Sequence, residues 1–413
     1  MATDIRTGFR PQDICVVGLG YIGLPTAAIL ASRGHSVLGV DSNPGVVETI
    51  SRGAVHIVEP DLDLLVKTGV HSGRLKAASE PAQAEVFVLC VPTPFHPETR
   101  SPNIEYVRLA AHAIAPHVRP GNLVILESTS PPGTTVDVVG GALRAAGLEP
   151  GKDVHLAHCP ERVLPGAILR ECVENDRVIG GYTEECAKAA REFYATFVSG
   201  NIRLTDCKTA ETVKLVENAS RDVQIAFANE LSLLCDDLGL DVWEVIALAN
   251  RHPRVSILQP GPGVGGHCIA VDPWFLVAAS PGTTHLIRAA RERNDAMPER
   301  TAEHICRVAR ETRTQTVALL GMAYKNDIDD CRESPSLEVY RLVREALPGV
   351  RVVACEPYVT AIRGVELVPF EQCLADAGVI ALLVAHRPFR DYDWSALPPE
   401  RVLLDFKGVL KMA

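Results

Sequence analysis

The sequence predicts an α/β fold: two doubly wound parallel-sheet domains joined by a central region of long helices. Three observations carry that expectation. Apolar strands alternate with helical stretches at the start of the chain, unbroken helical periodicity follows from Thr209, and a second alternating stretch closes the chain. Strands that are apolar along their whole length belong to parallel sheets covered on both faces.

Taken in order, Ile14–Val17 reads as a strand, followed by a glycine-rich turn, an alanine-rich helix and a second strand over Ser36–Val40. Further strands fall at Val86–Val91 and Leu123–Leu126, with a helix over Glu105–Ala115 between them. From Val213 through Leu215, Val216, Ala219, Val223, Ala226, Leu231, Leu234 and Leu238, apolar residues recur at helical spacing with no proline. Gly239 is the break, and a shorter helix over Val242–Ala249 follows. A stripe that long exceeds what one small domain can cover, so the helix is expected to connect domains and to form part of a subunit interface. The alternative is a helix packed wholly within its own chain. Past the Pro/Gly-dense loop Gln259–Gly266, a third region begins near Thr301 with a helix, then strands at Val317–Leu320, Val350–Ala354, Val379–Val384 and Val402–Asp405. The expected division is 1–200, 201–300 and 301–413.

The chain has 413 residues, too many for one core, and a formal net charge of -10 without a dense Lys/Arg block. That excludes a nucleic-acid binder, which needs clustered cations. No apolar run is long enough to cross a bilayer, and the start of the chain lacks the apolar core of a secretory signal, so a cytoplasmic protein is expected. Its 12 cysteines contain no Cys-x-x-Cys pair and read as reduced thiols, with no disulfide framework and no metal site.

Gly18-Leu-Gly20-Tyr21-Ile22-Gly23 follows a strand and opens a helix. Gly18 permits the tight turn, Gly20 lets backbone approach a pyrophosphate, and Gly23 lets helix and strand pack closely. The helix N-terminus favours phosphate. Asp41, about twenty residues on, ends the next strand and can accept from ribose hydroxyls, which selects NAD over NADP. Thr93 and Thr129 stand on loops at strand C-termini and could serve the cofactor; each could equally be a turn or cap residue.

In Gly265-Gly266-His267-Cys268-Ile-Ala-Val-Asp272, a cysteine follows a loop that only glycines can shape, and an acid stands one helical turn beyond it. A thiol at a helix N-terminus is activated as a nucleophile, whereas a buried inert cysteine is the commoner fate. Lys214 and Asn218 are four apart on one helical face, able to bind an oxyanion or relay a proton, and Arg221 continues that face.

These segments, with VPTP, ESTSPPGTT, CPERVLPG, NRHPRV, PGPGVGGHCIAVDPW and GMAYKNDIDDCRESPS, make the chain resemble the UDP-glucose/UDP-N-acetylmannosamine dehydrogenase family over essentially its whole length. CPERVLPG, NRHPRV and GGHCIAVDPW look most like the N-acetylmannosamine branch. The resemblance implies Rossmann-like outer domains, a homodimer or dimer of dimers, and a four-electron oxidation of a UDP-amino-sugar at C6 with two NAD. It implies that Lys214 assists the alcohol's deprotonation and that Cys268 captures the aldehyde. Asn218 and Asp272 then support oxyanion and water, and Glu161 stands near the reacting centre. It further implies sugar contacts from Arg162, Val163, Arg221, His252, Arg254 and Gly265, with His252 and Arg254 serving a neighbouring subunit. Tyr324 and Lys325 match the uridine-diphosphate segment, and Arg332 a residue reaching the NAD. Arg162-Val-Leu-Pro165 replaces a pattern that carries a second glutamate in the UDP-glucose enzymes, which argues against UDP-glucose, and Val46 stands where some relatives carry a basic cofactor contact. The rival readings are the same chemistry on UDP-N-acetylglucosamine or UDP-glucose, a two-electron hydroxy-acid dehydrogenase with a structural Cys268, and a non-catalytic nucleotide sensor.

Overall fold

The computed structural model describes residues 10–96, 98–164, 166–266 and 268–409. The start of the chain, Pro165 and His267, which enter the signal, sugar-contact and thiol-loop readings, lie partly or wholly outside the described residues. The chain forms two compact units, Met1–Glu217 and Asn218–Ala413.

In the first unit the strands are β1 (Asp13–Val17), β2 (Ser36–Val40), β3 (Leu75–Ala78), β4 (Val86–Leu89), β5 (Leu123–Leu126), β6 (His155–His158), β7 (Arg177–Gly181) and β8 (Ile202–Asp206). They form one sheet in the order β3-β2-β1-β4-β5-β6-β7-β8, parallel except between β6 and β7. Pleating alternates the burial. Ile14 and Val16 of β1 face one core with helix α1 (Gly23–Ser32), while Cys15 and Val17 face the other with α2 (Glu105–Ile114). Both faces are therefore covered, as expected for continuous apolar strands.

Helix α3 (Cys207–Leu238) runs 32 residues, about 48 Å at 1.5 Å per residue, and contains the boundary between the units. Gly239, at φ +67°, ends it, and α4 (Val242–Ala249) follows with Asp241 capping Trp243 N. The second unit continues with α5 (Asp272–Ala279) and α6 (His285–Thr312). The helix expected near Thr301 thus begins earlier, at His285, and carries the chain unbroken past that position.

Strand β9 (Thr316–Leu320), helix α7 (Pro335–Ala346), β10 (Arg351–Cys355), β11 (Val379–Leu382) and β12 (Val402–Asp405) then build an all-parallel sheet ordered β10-β9-β11-β12. Val317 and Leu319 face α6 and α7, while Ala318 and Leu320 face a core around Phe389. Among the described residues no helix is long and apolar enough to cross a membrane, and no cluster of three His, Cys, Asp or Glu side chains could hold a metal ion.

Candidate active site

In the first sheet the strand order reverses between β1 and β4, and ligands of open parallel sheets bind at the strand C-termini beside such a point. Gly18, directly after β1, has φ +91°, and its N–H donates to Val40 O at 2.8 Å. A Cβ on Gly18 would lie 2.5 Å from Cys90 O, and one on Gly23 only 1.8 Å from Gly18 O. Gly20 is exposed, and its Cβ would meet nothing within 4 Å. Two glycines are thus forced by packing and the third leaves the backbone open to approach. Tyr21 and Ile22 complete the loop, and α1 begins at Gly23 with its positive dipole end towards it. This cradle fits a dinucleotide pyrophosphate.

Asp41 follows β2. Its Oδ2 accepts from Leu19 N at 3.0 Å and its Oδ1 from Asn43 N at 2.9 Å, which aims the carboxylate at the glycine loop. Thr93 and Thr129 are half-buried on the loops after β4 and β5, on the same edge of the sheet. Asp41→Ala is expected to raise the NADP-to-NAD ratio of kcat/KM by at least about tenfold, the equivalent of about 1.4 kcal/mol, because a carboxylate repels a 2′-phosphate. Steady-state kinetics with both cofactors measures this; an unchanged ratio would remove Asp41 from the ribose site. Val46 is half-buried against the apolar core beneath.

Glu161 follows β6 and is buried. Its Oε2 pairs with Arg177 Nη1 at 2.5 Å, and its Oε1 accepts from Arg162 N at 2.7 Å. Nearby, Glu127 accepts from Tyr194 Oη at 2.5 Å and Cys90 Sγ at 3.1 Å. Burial, reinforced by Glu161, raises the pKa of Glu127 above the ordinary carboxylate value, with Arg177 pulling the other way. Arg162 bonds Glu217 Oε1 at 2.7 Å as well as Asp176 O, and Val163 packs on the core. Glu211 of α3 accepts from Gly133 N at 2.5 Å and Thr135 N at 2.7 Å, clasping the Thr129 loop to the helix that carries Lys214. Lys214 and Asn218 are both half-buried on α3, while Arg221 is exposed.

The second unit brings Asn218, Cys268 and Asp272 together. Asn218 Nδ2 donates to Asp272 Oδ2 at 2.6 Å, and Asp272 N donates to Cys268 O at 2.8 Å. The expected helical turn between thiol and acid is therefore present, although the regular helix α5 starts at Asp272 itself. Asp272 is buried; Cys268 is exposed, the one cysteine of the chain that is. The loop before it needs its glycines, since Gly263 and Gly266 have φ +138° and +84°. A Cβ on Gly265 would lie 2.6 Å from Glu333 O and 3.0 Å from Tyr324 Cβ, so the thiol loop packs on the Tyr324 segment.

Lys325 is exposed, and Arg332 bonds Asp330 at 2.9 and 2.7 Å. His252 and Arg254 lie exposed after α4, with Arg254 N donating to His252 Nδ1 at 3.3 Å. Two features escaped the sequence. Glu356 Oε2 accepts from Met322 N at 2.7 Å and Ala323 N at 3.0 Å, while His386 Nδ1 accepts from Asp327 N at 2.9 Å. That assigns the Nε2 proton of His386 to Glu356, 3.1 Å away, and the pair holds the Tyr324–Lys325 loop. Lys407 Nζ lies 3.1 Å from where a Gly261 Cβ would stand, and burial lowers its pKa against the pull of Asp405. The available signal was position alone: Glu356 and His386 stand just beyond strand ends.

Comparison with known proteins agrees with this geometry. The family models of the UDP-glucose/GDP-mannose dehydrogenase family match its NAD binding domain over residues 12–198, its central domain over 208–296 and its UDP binding domain over 318–412. The chain is 51% identical to an NDP-N-acetyl-D-galactosaminuronic acid dehydrogenase of Ralstonia nicotianae, with 96% of each chain covered. It is 50% identical to a UDP-N-acetyl-D-mannosamine dehydrogenase of Campylobacter jejuni, over 92% of this chain and 96% of that one. The solved structure of a UDP-D-ManNAc dehydrogenase from Pyrococcus horikoshii superimposes with a TM-score of 0.88 at 38% identity, covering 96% of both chains. A glycine cradle with an acid bonded to its backbone, an exposed cysteine one turn ahead of a buried acid, and matches along almost the whole length lead to one conclusion: the chain belongs to the UDP-glucose/GDP-mannose dehydrogenase family, the NAD-dependent oxidoreductases of nucleotide sugars.

Proposed function

We propose that this enzyme oxidises C6 of UDP-N-acetyl-D-mannosamine to the carboxylate, through a covalent intermediate on Cys268. The observation that carries the proposal is the exposed thiol one helical turn ahead of a buried Asp272 that Asn218 holds. NAD, held by the Gly18–Gly23 loop, Asp41, Thr93 and Thr129, with Arg332 as a further contact, supplies a hydride acceptor in each half of the reaction. Lys214 takes the C6 hydroxyl proton or stabilises its oxygen as the first hydride leaves. The Cys268 thiolate adds to the aldehyde carbon, giving a thiohemiacetal whose oxyanion Lys214 and Asn218 stabilise. Loss of the second hydride leaves a thioester. Water, oriented by Asp272 and Glu161, attacks it and returns the thiol. In sum, alcohol, two NAD and water give carboxylate, two NADH and three protons.

Tyr324, Lys325 and Lys407 supply the uridine-diphosphate site, with cations for its phosphates. Arg162, Val163, Arg221, His252, Arg254 and Gly265 supply the acetamido-sugar contacts. In this reading residues 1–200 bind NAD, 201–300 carry Lys214 and Cys268 and dimerise, and 301–413 bind UDP. A second reading, the same chemistry on the galacto epimer, draws on the name of the 51% identical relative. The test is incubation with NAD and a panel of UDP-sugars (the manno, galacto and gluco N-acetyl epimers and glucose), reading NADH yield and product mass. Two NADH per sugar and a gain of 14 mass units (roughly, one oxygen for two hydrogens) are expected with the manno epimer. One NADH per sugar would leave only a two-electron dehydrogenase.

The long helix leaves Phe227, Leu234 and Leu238 exposed at 57%, 51% and 61%, a stripe for a second copy of the chain. The double substitution Phe227→Asp/Leu234→Asp is expected to halve the mass measured by light scattering. An unchanged mass would place the subunit contact elsewhere.

A further inference from the structure

Among the buried polar side chains of the second unit that the proposed chemistry does not use, Asp222 and Asn229 of α3 and Arg291 and Asn294 of α6 lie together. They form one directed chain of hydrogen bonds. Asn229 Oδ1 accepts from Gly261 N at 2.9 Å, and a backbone N–H can only donate, so the Asn229 amide has one permitted orientation. Its Nδ2 therefore donates to Asn294 Oδ1 at 2.8 Å. Asn294 Nδ2 in turn donates to Asp222, to the backbone oxygen at 2.9 Å and to Oδ1 at 2.8 Å. Arg291 Nη1 pairs with the same carboxylate and also points at Ile269 O, 3.4 Å away.

The chain thus grips the thiol loop at two backbone atoms on either side of Cys268, at Gly261 and at Ile269. Such a network is expensive. Burial pushes Asp222 up to about 6 against the pull of Arg291, and a buried ion pair often gives no net stability over apolar packing of equal volume. What the network does hold is the loop, whose glycines leave its backbone few restraints of their own.

We propose that Asn229 and Arg291 are positioning residues for the Cys268 thiol, fixing the Gly261–Ile269 loop so that the sulfur meets the aldehyde carbon. The inference rests on the reading of Cys268 as nucleophile and adds what aims it. Neither side chain touches substrate; both act through backbone.

The test uses the full chain with Asn229→Ala, which releases Gly261, and Arg291→Lys, which keeps a cation for Asp222 but withdraws from Ile269. Three quantities are read: NAD affinity by fluorescence titration, the first and second NADH of a single turnover, and the rate of Cys268 alkylation by iodoacetamide from peptide mass spectra. The expected result is NAD affinity and first NADH within about threefold of wild type, and a second NADH slowed about 10- to 100-fold, as misplacement of a reacting atom by about 1 Å predicts. Alkylation of Cys268 should change in both variants, and free aldehyde should become trappable by semicarbazide. Equal slowing of both NADH steps in parallel with a lowered Tm would reduce the network to a structural element, and wild-type second-step rates would overturn the proposal. Arg291→Lys, the milder change, carries the test if Asn229→Ala does not fold. Cys268→Ser run alongside separates the two ideas: wild-type acid formation there rejects the nucleophile itself, whereas its loss beside unaffected network variants rejects only the positioning role.

Discussion

Cys268→Ser is expected to bind NAD and nucleotide sugar as the native enzyme does, and to lose steady acid formation by on the order of 1000-fold or more, the scale of losing a covalent nucleophile. A serine hydroxyl at neutral pH is almost wholly protonated, and Asp272 is committed to Asn218 at 2.6 Å. An Asp272 so engaged does not make that hydroxyl an equivalent nucleophile. In the proposed sequence the first oxidation does not need the sulfur, so aldehyde should be detectable by trapping. Steady-state NADH production and product mass decide the matter. Normal turnover would mean that the thiol beside Asp272 is a bystander.

Gly23→Ala is expected to weaken NAD binding by at least about 100-fold, equivalent to about 2.7 kcal/mol, and to lower the stability of the first unit. The added methyl would lie 1.8 Å from Gly18 O and 3.1 Å from Cys90 Cβ. Neither the carbonyl of one glycine turn nor the buried strand end can retreat without parting β1 from α1. Gly20→Ala is the informative contrast, because its methyl meets no protein atom and can obstruct only what approaches from outside. NADH fluorescence titration distinguishes the two. Native affinity in Gly23→Ala would show that the cradle is less tightly fixed than its packing says.

The cofactor half was legible because its signals are local. A strand, a glycine triplet, a helix and an acid follow one another within residues 14–41, and each is needed by its neighbour. The turn from Cys268 to Asp272 and the Lys214–Asn218 face were equally readable from spacing. Strands β3, β6, β7 and β8 were not, since Lys76, His155, Arg177 and Arg203 interrupt their apolar character. Helix α6 was placed too late for a related reason: its inner face carries Arg291 and Asn294, so the buried stripe reads as polar. Pairings between distant segments left no trace in the sequence. Arg177 with Glu161, Glu211 with the Thr129 loop, and His386 with Glu356 each join elements whose proximity only the fold creates.

That Cys268 is the one exposed cysteine has a chemical corollary. Peroxide or an electrophile reaching this protein would spend itself first on its sulfur, driving it to sulfenic and then sulfinic acid while nine buried thiols stay intact. With Cys268 as the proposed nucleophile, sugar oxidation would depend on the reducing power of the surroundings and would stop before the fold was damaged.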